Sequence, residues 1–464
     1  MTQRTRTPSA SKVRRRLSES KPKPIPPHRS RIRRPAPHKV HIEPTERSLT
    51  SMAGLLPFGA FLRELGVDAA LQSQFRKLKR DPRVIFPMDA QMRLIIDAAV
   101  AGEERVFGLE ALANDPLFAH LSGGEVPSID TVYRDLCRFD NEALAALEAL
   151  TAEHGLAVLS DQRPPIIHID IDTTVMPVFG EQEGALPGPN PRYHGRPSYH
   201  PLLARVAETN TVIGALLRPG DTGFGGDDVP FVERCIDRVR EVAPKAAIYV
   251  RIDAAGDCMR VMRAIARKGA FFLTKPRVTG DLAGAIAMVE RWRTVDWDAD
   301  GRPRRQVATV AFRRGEWRDM PVRVIAVRTI DRPHGKNLQL WDDLEYTVQA
   351  FMTNEQFEAE EDVAVRYDLR AGIEPLIGDL KHGWGIGRAA SQSFAANHAM
   401  LLLKLLAFNL MRRYVRRRYP AIASWTAPWL RRQLILVPGR LLRSSGRRRV
   451  LRIPELSLLG RQLN

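Results

Sequence analysis

Apolar and polar positions follow two different periods along the chain. Between residues 51 and 160 apolar residues recur three or four apart, in "FLRELGVDAALQSQFRKL", "MDAQMRLIIDAAVAGEE" and "NEALAALEALTAEHG". That spacing predicts a helical domain. Within it, "VPSIDTVYRDLCRFD" offers Ser128 as the N-cap of a short helix. The piece reads either as helix-turn-helix-like, entering DNA, or as a helix pair of the domain's own core.

From Ile166 the period becomes two. In "IIHIDID", Ile167, Ile169 and Ile171 face one way and His168, Asp170 and Asp172 the other. "LLARVAET" and "TVIGALLRP" read as further strands, and "GAFFLTKPR" as a short one. In "AAIYVRIDAAGD", Ile248, Val250 and Ile252 share one side, while Tyr249, Arg251 and Asp253 share the other. "DDVPFVERCIDRVREV" and "DCMRVMRAIARKG" lie between strands and read as helices, giving an α/β core of mixed strand direction. "RRQVATVAFRR", "MPVRVIAVRTI" and "LEYTVQAFMTN" then follow as strands with no helix between them, a β-rich insertion. Long helical segments are expected from about Asn354 to Lys381 and from about Gln392 to Arg418.

Charge changes this picture at both ends. The 464-residue chain carries a formal +18. Residues 1–50 hold a net +11 and residues 401–464 a net +14, leaving an acidic middle of net −7. Basic ends around an acidic body point to a long polyanion, DNA or RNA, although a solvated tail and a cationic surface would give the same count. The first fifty residues, rich in Arg, Lys, Pro and Ser, are expected to be disordered when free. No apolar run reaches the ~18 residues of a membrane span, because Lys404 interrupts "LLLKLLAF". The N-terminus has no signal-peptide core. Cys137, Cys235 and Cys258 lie far apart and form no CxxC, which argues for a reducing cytoplasm and against a zinc cluster.

The candidate chemistry lies in the acids. Asp172 ends one strand and Asp253 another, and strand-end acids in α/β sheets can meet at the sheet edge. Either could also be an ordinary turn or cap residue. Converging carboxylates repel unless a divalent cation joins them, and hard oxygen donors favour Mg²⁺ or Mn²⁺. A third acid comes from "YDLRAGIEPLIGDLK". There Tyr367, Arg370, Glu374 and Lys381 keep to one stripe at about 3.5 residues per turn, and Leu369, Ile373, Leu376, Ile377 and Leu380 fill the neighbouring face. Glu374 could complete a metal site, Arg370 and Lys381 could hold phosphates, and Tyr367 could stack or donate a hydrogen bond. A solvated face with ordinary ion pairs would look the same. Pro375 directly after Glu374 predicts a bend or a helix start there. Asp170 shares the strand face of Asp172 and competes with it as first ligand; Asp257 competes with Asp253. His168 and His200 take no assigned role. "DTGFGGDD" lacks a Walker lysine and reads as a loop.

Tyr-x₂-Arg-x₃-Glu-x₆-Lys resembles the signature of a large group of DDE-type insertion-sequence transposases, matched here without a gap. "DIDTT" and "VRIDAAGD" resemble the strands that carry that group's first and second aspartates. The run Gly180–Leu203 resembles a glycine-rich, aromatic segment of one branch. The resemblance extends from about Leu49 to the C-terminus. It implies a ribonuclease H-like mixed sheet, with a helical N-terminal DNA-binding domain (51–160), core in two parts (161–280 and 353–400), a β-rich insertion (281–352), a basic helical C-terminal region (401–464) and a basic tail (1–50). Asp172, Asp253 and Glu374 would hold two Mg²⁺ ions, with Mn²⁺ able to substitute, and Tyr367, Arg370 and Lys381 would contact DNA. The implied reaction is hydrolysis at transposon ends followed by strand transfer into target DNA, by a homodimer on paired terminal inverted repeats in the bacterial cytoplasm, at the nucleoid and away from membranes. Trp317, or else Trp341, would be the insertion's base-stacking aromatic unless it is a core residue. A metal-dependent nuclease or resolvase without strand transfer, or a catalytically dead DNA-binding descendant, are the competing readings.

Overall fold

Capping side chains fix where three of the N-terminal helices begin. The computed structural model describes residues 46–81, 83–190, 194–331, 345–444 and 449–463. The basic tail up to residue 45 and Trp341 therefore lie outside the described residues. A short strand β1 (Leu49–Thr50) leads into helices α1 (Leu55–Glu64), α2 (Val67–Phe75), α3 (Met88–Ala101), α4 (Leu109–Leu112), α5 (Pro116–Leu121), α6 (Ile129–Leu136) and α7 (Asn141–Gln162). Asp115 caps α5 by accepting from the Leu117 and Phe118 amides, with Pro116 at the first helical position. Ser128 caps α6 and Asp140 caps α7 in the same manner. The helix anticipated behind Ser128 is present.

Strands β2 (Ile166–Thr173), β3 (Met176–Pro177), β4 (Leu186–Pro187), β5 (Pro197–Tyr199), β6 (Leu202–Val206) and β7 (Thr211–Leu216) come next. Helix α8 (Val229–Val242), β8 (Ala247–Ile252), α9 (Met259–Arg267), β9 (Phe271–Thr274) and α10 (Gly280–Ala287) follow them. Then come β10 (Arg293–Trp297), β11 (Pro303–Val310), β12 (Arg323–Asp331) and β13 (Glu345–Thr353). Nine of these strands form one sheet in the order β10-β11-β12-β13-β9-β8-β2-β6-β7. Strand β2 pairs antiparallel with β6 and parallel with β8; β6 pairs antiparallel with β7, and β8 parallel with β9. A three-strand meander followed by two parallel strands on the far side of its first strand is the ribonuclease H-like arrangement. The β-rich segment continues that sheet outward, because β13 pairs antiparallel with β9. Its outermost strand, β10, was not expected from the sequence; both its ends are exposed, as suits an edge, so it shows no clean alternation.

The two faces of the sheet differ. Ile167, Ile169, Ile171, Ile248, Val250 and Ile252 pack in one apolar cluster with Val232, Ile236, Val261 and Ile265 of α8 and α9. The opposite face carries the polar members of the alternation and lies beneath α11 (Glu360–Asp368). The segment expected to be helical to Lys381 divides close to where Pro375 predicts a bend or a helix start: α11 ends at Asp368, a 3₁₀ turn spans Leu369–Gly372, and α12 (Ile373–Gly383) starts afresh. Pro375 falls in the first turn of α12, where a missing amide costs nothing. Tyr367 is thus on a different helix from Glu374, and the single-helix stripe is corrected to two helices joined by a turn.

Helix α13 (Phe394–Arg418) is apolar on nearly all sides for most of its length and is buried accordingly. By length and composition α7 and α13 could cross a membrane, but 67% and 89% of their most apolar windows are buried inside the protein, so they are core helices. The chain closes with α14 (Ala427–Leu430), the hairpin β14 (Gly439–Arg443) and β15 (Arg449–Arg452), and α15 (Leu458–Leu463). The hairpin pairs with β1, so the C-terminal segment adds strands to its helices and is tied to the N-terminal side.

Candidate active site

Asp172 is the penultimate residue of β2, and its carboxylate accepts from the Thr173 amide at 2.8 Å. Burial pushes its pKa up; nearby Arg370 lowers it, and Asp253 and Glu374 both raise it. Asp253 lies just past the end of β8, parallel to and beside β2. It caps a 3₁₀ turn (Ala254–Gly256), accepting from the Ala255 amide at 3.0 Å. Thr274 at the end of β9 donates to its carbonyl at 2.7 Å. Glu374 is exposed in the first turn of α12, at the positive end of the helix dipole. Two adjacent parallel strands and one helix start therefore bring Asp253 and Glu374 within electrostatic reach of Asp172.

Arg370, in the turn between α11 and α12, is buried. Its Nη2 lies 3.3 Å from Asp172 Oδ2 and donates to the Ile171 carbonyl at 3.4 Å. Here it is a counter-ion to the acid cluster. Tyr367 stacks on Phe351 of β13, with ring centroids 4.5 Å apart and planes at 30°. Burial is the largest cause pushing its phenol up to about 12, and the charges of Arg370, Asp253 and Asp172 all reach it. Lys381 lies half-buried two turns along α12, near enough to His200 for its charge to help lower that imidazole's pKa, which burial lowers most.

The competing acids have other partners. Asp170 is 0% exposed and is held by two arginines, Arg205 and Arg251. Asp257 is gripped by both ends of the Arg314 fork, at 2.6 and 2.9 Å. His168 bridges Glu208 and Arg366, and His200 donates to the Thr222 carbonyl. Trp317 is 1% exposed, packed against Phe312 and Arg314 in the core, so it is not the base-stacking aromatic. The glycine-rich run supplies β4 and β5 of the small sheet β3-β5-β4. It is tied to the α12–α13 connection where the Glu183 amide donates to the Gln392 carbonyl and the Phe394 amide to the Glu183 carboxylate.

Three carboxylates form a donor set suited to a hard divalent cation. Among the described residues, however, no three His, Cys, Asp or Glu side chains form a ready cage. The donor chemistry fits. The exposure of Glu374, on a helix start rather than in the sheet, makes it the member that can adjust.

The sequence matches the family described as transposase DDE domain, group 1, over residues 34–460. A search of curated proteins finds no match. Among solved structures the chain is similar to the piggyBac transposase in a synaptic complex with hairpin DNA, at 12% identity and a TM-score of 0.43, covering 82% of this chain and 79% of that one. The family match takes in the whole sheet, both aspartate strands and the Tyr-Arg-Glu-Lys segment, and the chain belongs to this family of DNA-cutting and strand-transferring transposases.

Proposed function

We propose that Asp172, Asp253 and Glu374 are the catalytic carboxylates and that they hold the divalent ions on which transposase DDE domains generally depend. The observation that carries this reading is geometric: Asp172 and Asp253 lie at the ends of the adjacent parallel strands β2 and β8, and Arg370, 3.3 Å from Asp172, sits in the turn that leads directly to Glu374. Two Mg²⁺ ions, replaceable by Mn²⁺, would supply an activated water and stabilise the leaving oxygen of a phosphodiester. The protein's own part is to aim the acids: the Thr173 amide fixes Asp172, the Ala255 amide fixes Asp253, and Arg370 balances charge at Asp172. Arg370 engages Asp172 and the Ile171 carbonyl through Nη2, and other donors of its fork would meet a DNA phosphate. Lys381 is placed to meet a phosphate along α12. Tyr367, braced on Phe351, orients the turn that carries Arg370.

The reaction proposed is hydrolysis at the terminal inverted repeats of a bacterial insertion sequence, then attack of the freed 3′-hydroxyl on target DNA. A homodimer on paired ends, working at the nucleoid, is the matching assembly. The test uses purified protein, a labelled duplex spanning an element end, and Mg²⁺. Wild type should nick at the element boundary. Glu374→Ala, or added EDTA, should reduce cutting by about 10³-fold or more while leaving DNA binding within about twofold. A wild type that binds but never cuts, even with Mn²⁺ and paired ends, would sink the assignment.

A further inference from the structure

Beneath the acid cluster lies a set of buried charges with no part in it. Arg205 of β6 approaches Asp170 of β2 with Nε at 2.9 Å and Nη2 at 2.8 Å. Arg251 of β8 approaches from the other side, with Nε at 2.5 Å and Nη2 at 3.0 Å. All three side chains are buried. Two cations face one anion, so the remaining donors need other acceptors. Arg205 Nη1 donates to Asn210 Oδ1 at 2.8 Å. Arg251 Nη1 donates to the Arg366 carbonyl at 2.6 Å, in the last turn of α11. On the other side of the turn, Gly372 lies so close to Arg205 that a Cβ there would stand 2.8 Å from Nη2. Gly372 has φ −61° and ψ −12°, a conformation open to any residue, so close approach is what its missing side chain serves.

The triad therefore touches the chain just before and at the end of the turn Leu369–Gly372, which holds Arg370 and leads to Glu374. A buried ion triad is a poor source of stability, because desolvation offsets most of its attraction; its best-attested use is to fix geometry. We propose that Asp170, Arg205 and Arg251 are positioning residues for the transposase reaction. Their planar forks lock the turn to the sheet, and so set Glu374 against Asp172 and Asp253. This rests on the assignment of those three acids as catalytic.

Gly372→Ala tests it without removing a charge. Alanine suits this helical backbone at least as well as glycine, so the melting temperature should hold or rise. The methyl must displace Nη2 of Arg205, which is held between it and Asp170. At saturating DNA and Mg²⁺ the cleavage rate should fall by about tenfold or more with DNA affinity within about twofold, since small misplacements at a reacting centre cost rate before binding. Amide exchange across residues 366–374 should quicken. Arg251→Lys, which keeps the charge but loses the reach to the Arg366 carbonyl, should do the same. Gly378→Ala in the same helix, where an added Cβ meets nothing within 4 Å, should cut at the wild-type rate. The proposal is overturned if Gly372→Ala cuts normally, or if its loss only tracks a lower melting temperature or weaker DNA binding. If the wild type itself never cuts, the acid assignment falls separately. Exchange across 366–374 then still decides whether the triad holds the turn: an unchanged rate in Gly372→Ala overturns it, and a faster one sustains it.

Discussion

Lys404 sits in the middle of α13 with its ammonium between two backbone carbonyls, Glu104 at 2.8 Å and Gly385 at 2.6 Å. Burial is the main force pulling its pKa down to about 7; Glu104 opposes this, and Arg388 and Arg105 add to it. In the unfolded chain the group returns to ~10.4. Between those values the unfolded state holds a proton that the folded state has released, so Lys404 makes stability rise with pH across the window. Compared with Lys404→Met, the wild type should gain stability from about pH 7 to pH 10, with a slope approaching ~1.4 kcal/mol per pH unit. Urea unfolding of both proteins across that range checks it; a flat difference would show that the two carbonyls hold the proton. Trp317 offers a second single-residue test. As a core side chain, its replacement by Ala should cost about 3–5 kcal/mol in denaturant unfolding and leave DNA affinity unchanged. Loss of DNA binding without loss of stability would restore the stacking role.

Helix α7 shows how an element's packing overrides its propensity. Gly155 lies where α7 presses on edge strand β7, and a Cβ there would stand 2.4 Å from the Val212 carbonyl. Asn409 of α13 completes the joint. It accepts from the Val212 amide at 3.0 Å and donates to the Val212 and Thr151 carbonyls at 2.7 and 2.8 Å. An exposed helical Gly→Ala normally gains up to ~1 kcal/mol. Gly155→Ala should instead destabilise by about 1–3 kcal/mol, the range for overpacking, in equilibrium unfolding. A neutral or stabilising result would mean that the α7–β7 joint yields easily. Helices α11 and α12 carry a related lesson. Spacing alone placed Tyr367, Arg370, Glu374 and Lys381 on one stripe, and three of them do converge near the aspartates. They do so through a 3₁₀ turn that separates Tyr367 and Arg370 from the helix carrying Glu374 and Lys381.

Over the whole molecule, residues distant in sequence close the fold. Arg431 donates to the Ala99 and Val100 carbonyls at the end of α3 and to Gly383 at the end of α12, joining the N-terminal helices to the helix of Glu374. Charge acts at the same scale. With +18 overall and +11 in residues 1–50, DNA affinity should fall steeply with salt. A protein lacking residues 1–45 should show a shallower slope of log affinity against log salt, by roughly one unit for each phosphate that the tail neutralises. Fluorescence anisotropy at several KCl concentrations would measure it. An unchanged slope would leave the tail as a solubility segment.

The amino-acid pattern predicted the period-two strands and the polar face of β2, and it offered Asp253 and Glu374 as candidate acids, because alternation and strand-end position are local properties. It could not separate Asp170 from Asp172, two residues apart on one face. Arg205 and Arg251, which arrive from strands on either side of β2, enclose Asp170 in the structure, and that pairing is what favours Asp172 in the assignment proposed above. Trp317 and Arg370 were likewise assigned by neighbours distant in sequence: an aromatic core in one case, a carboxylate in the other. A side chain's face is set by its own backbone. Its partner is set by which other strand the sheet places beside it, and that depends on long-range pairing which no local pattern encodes.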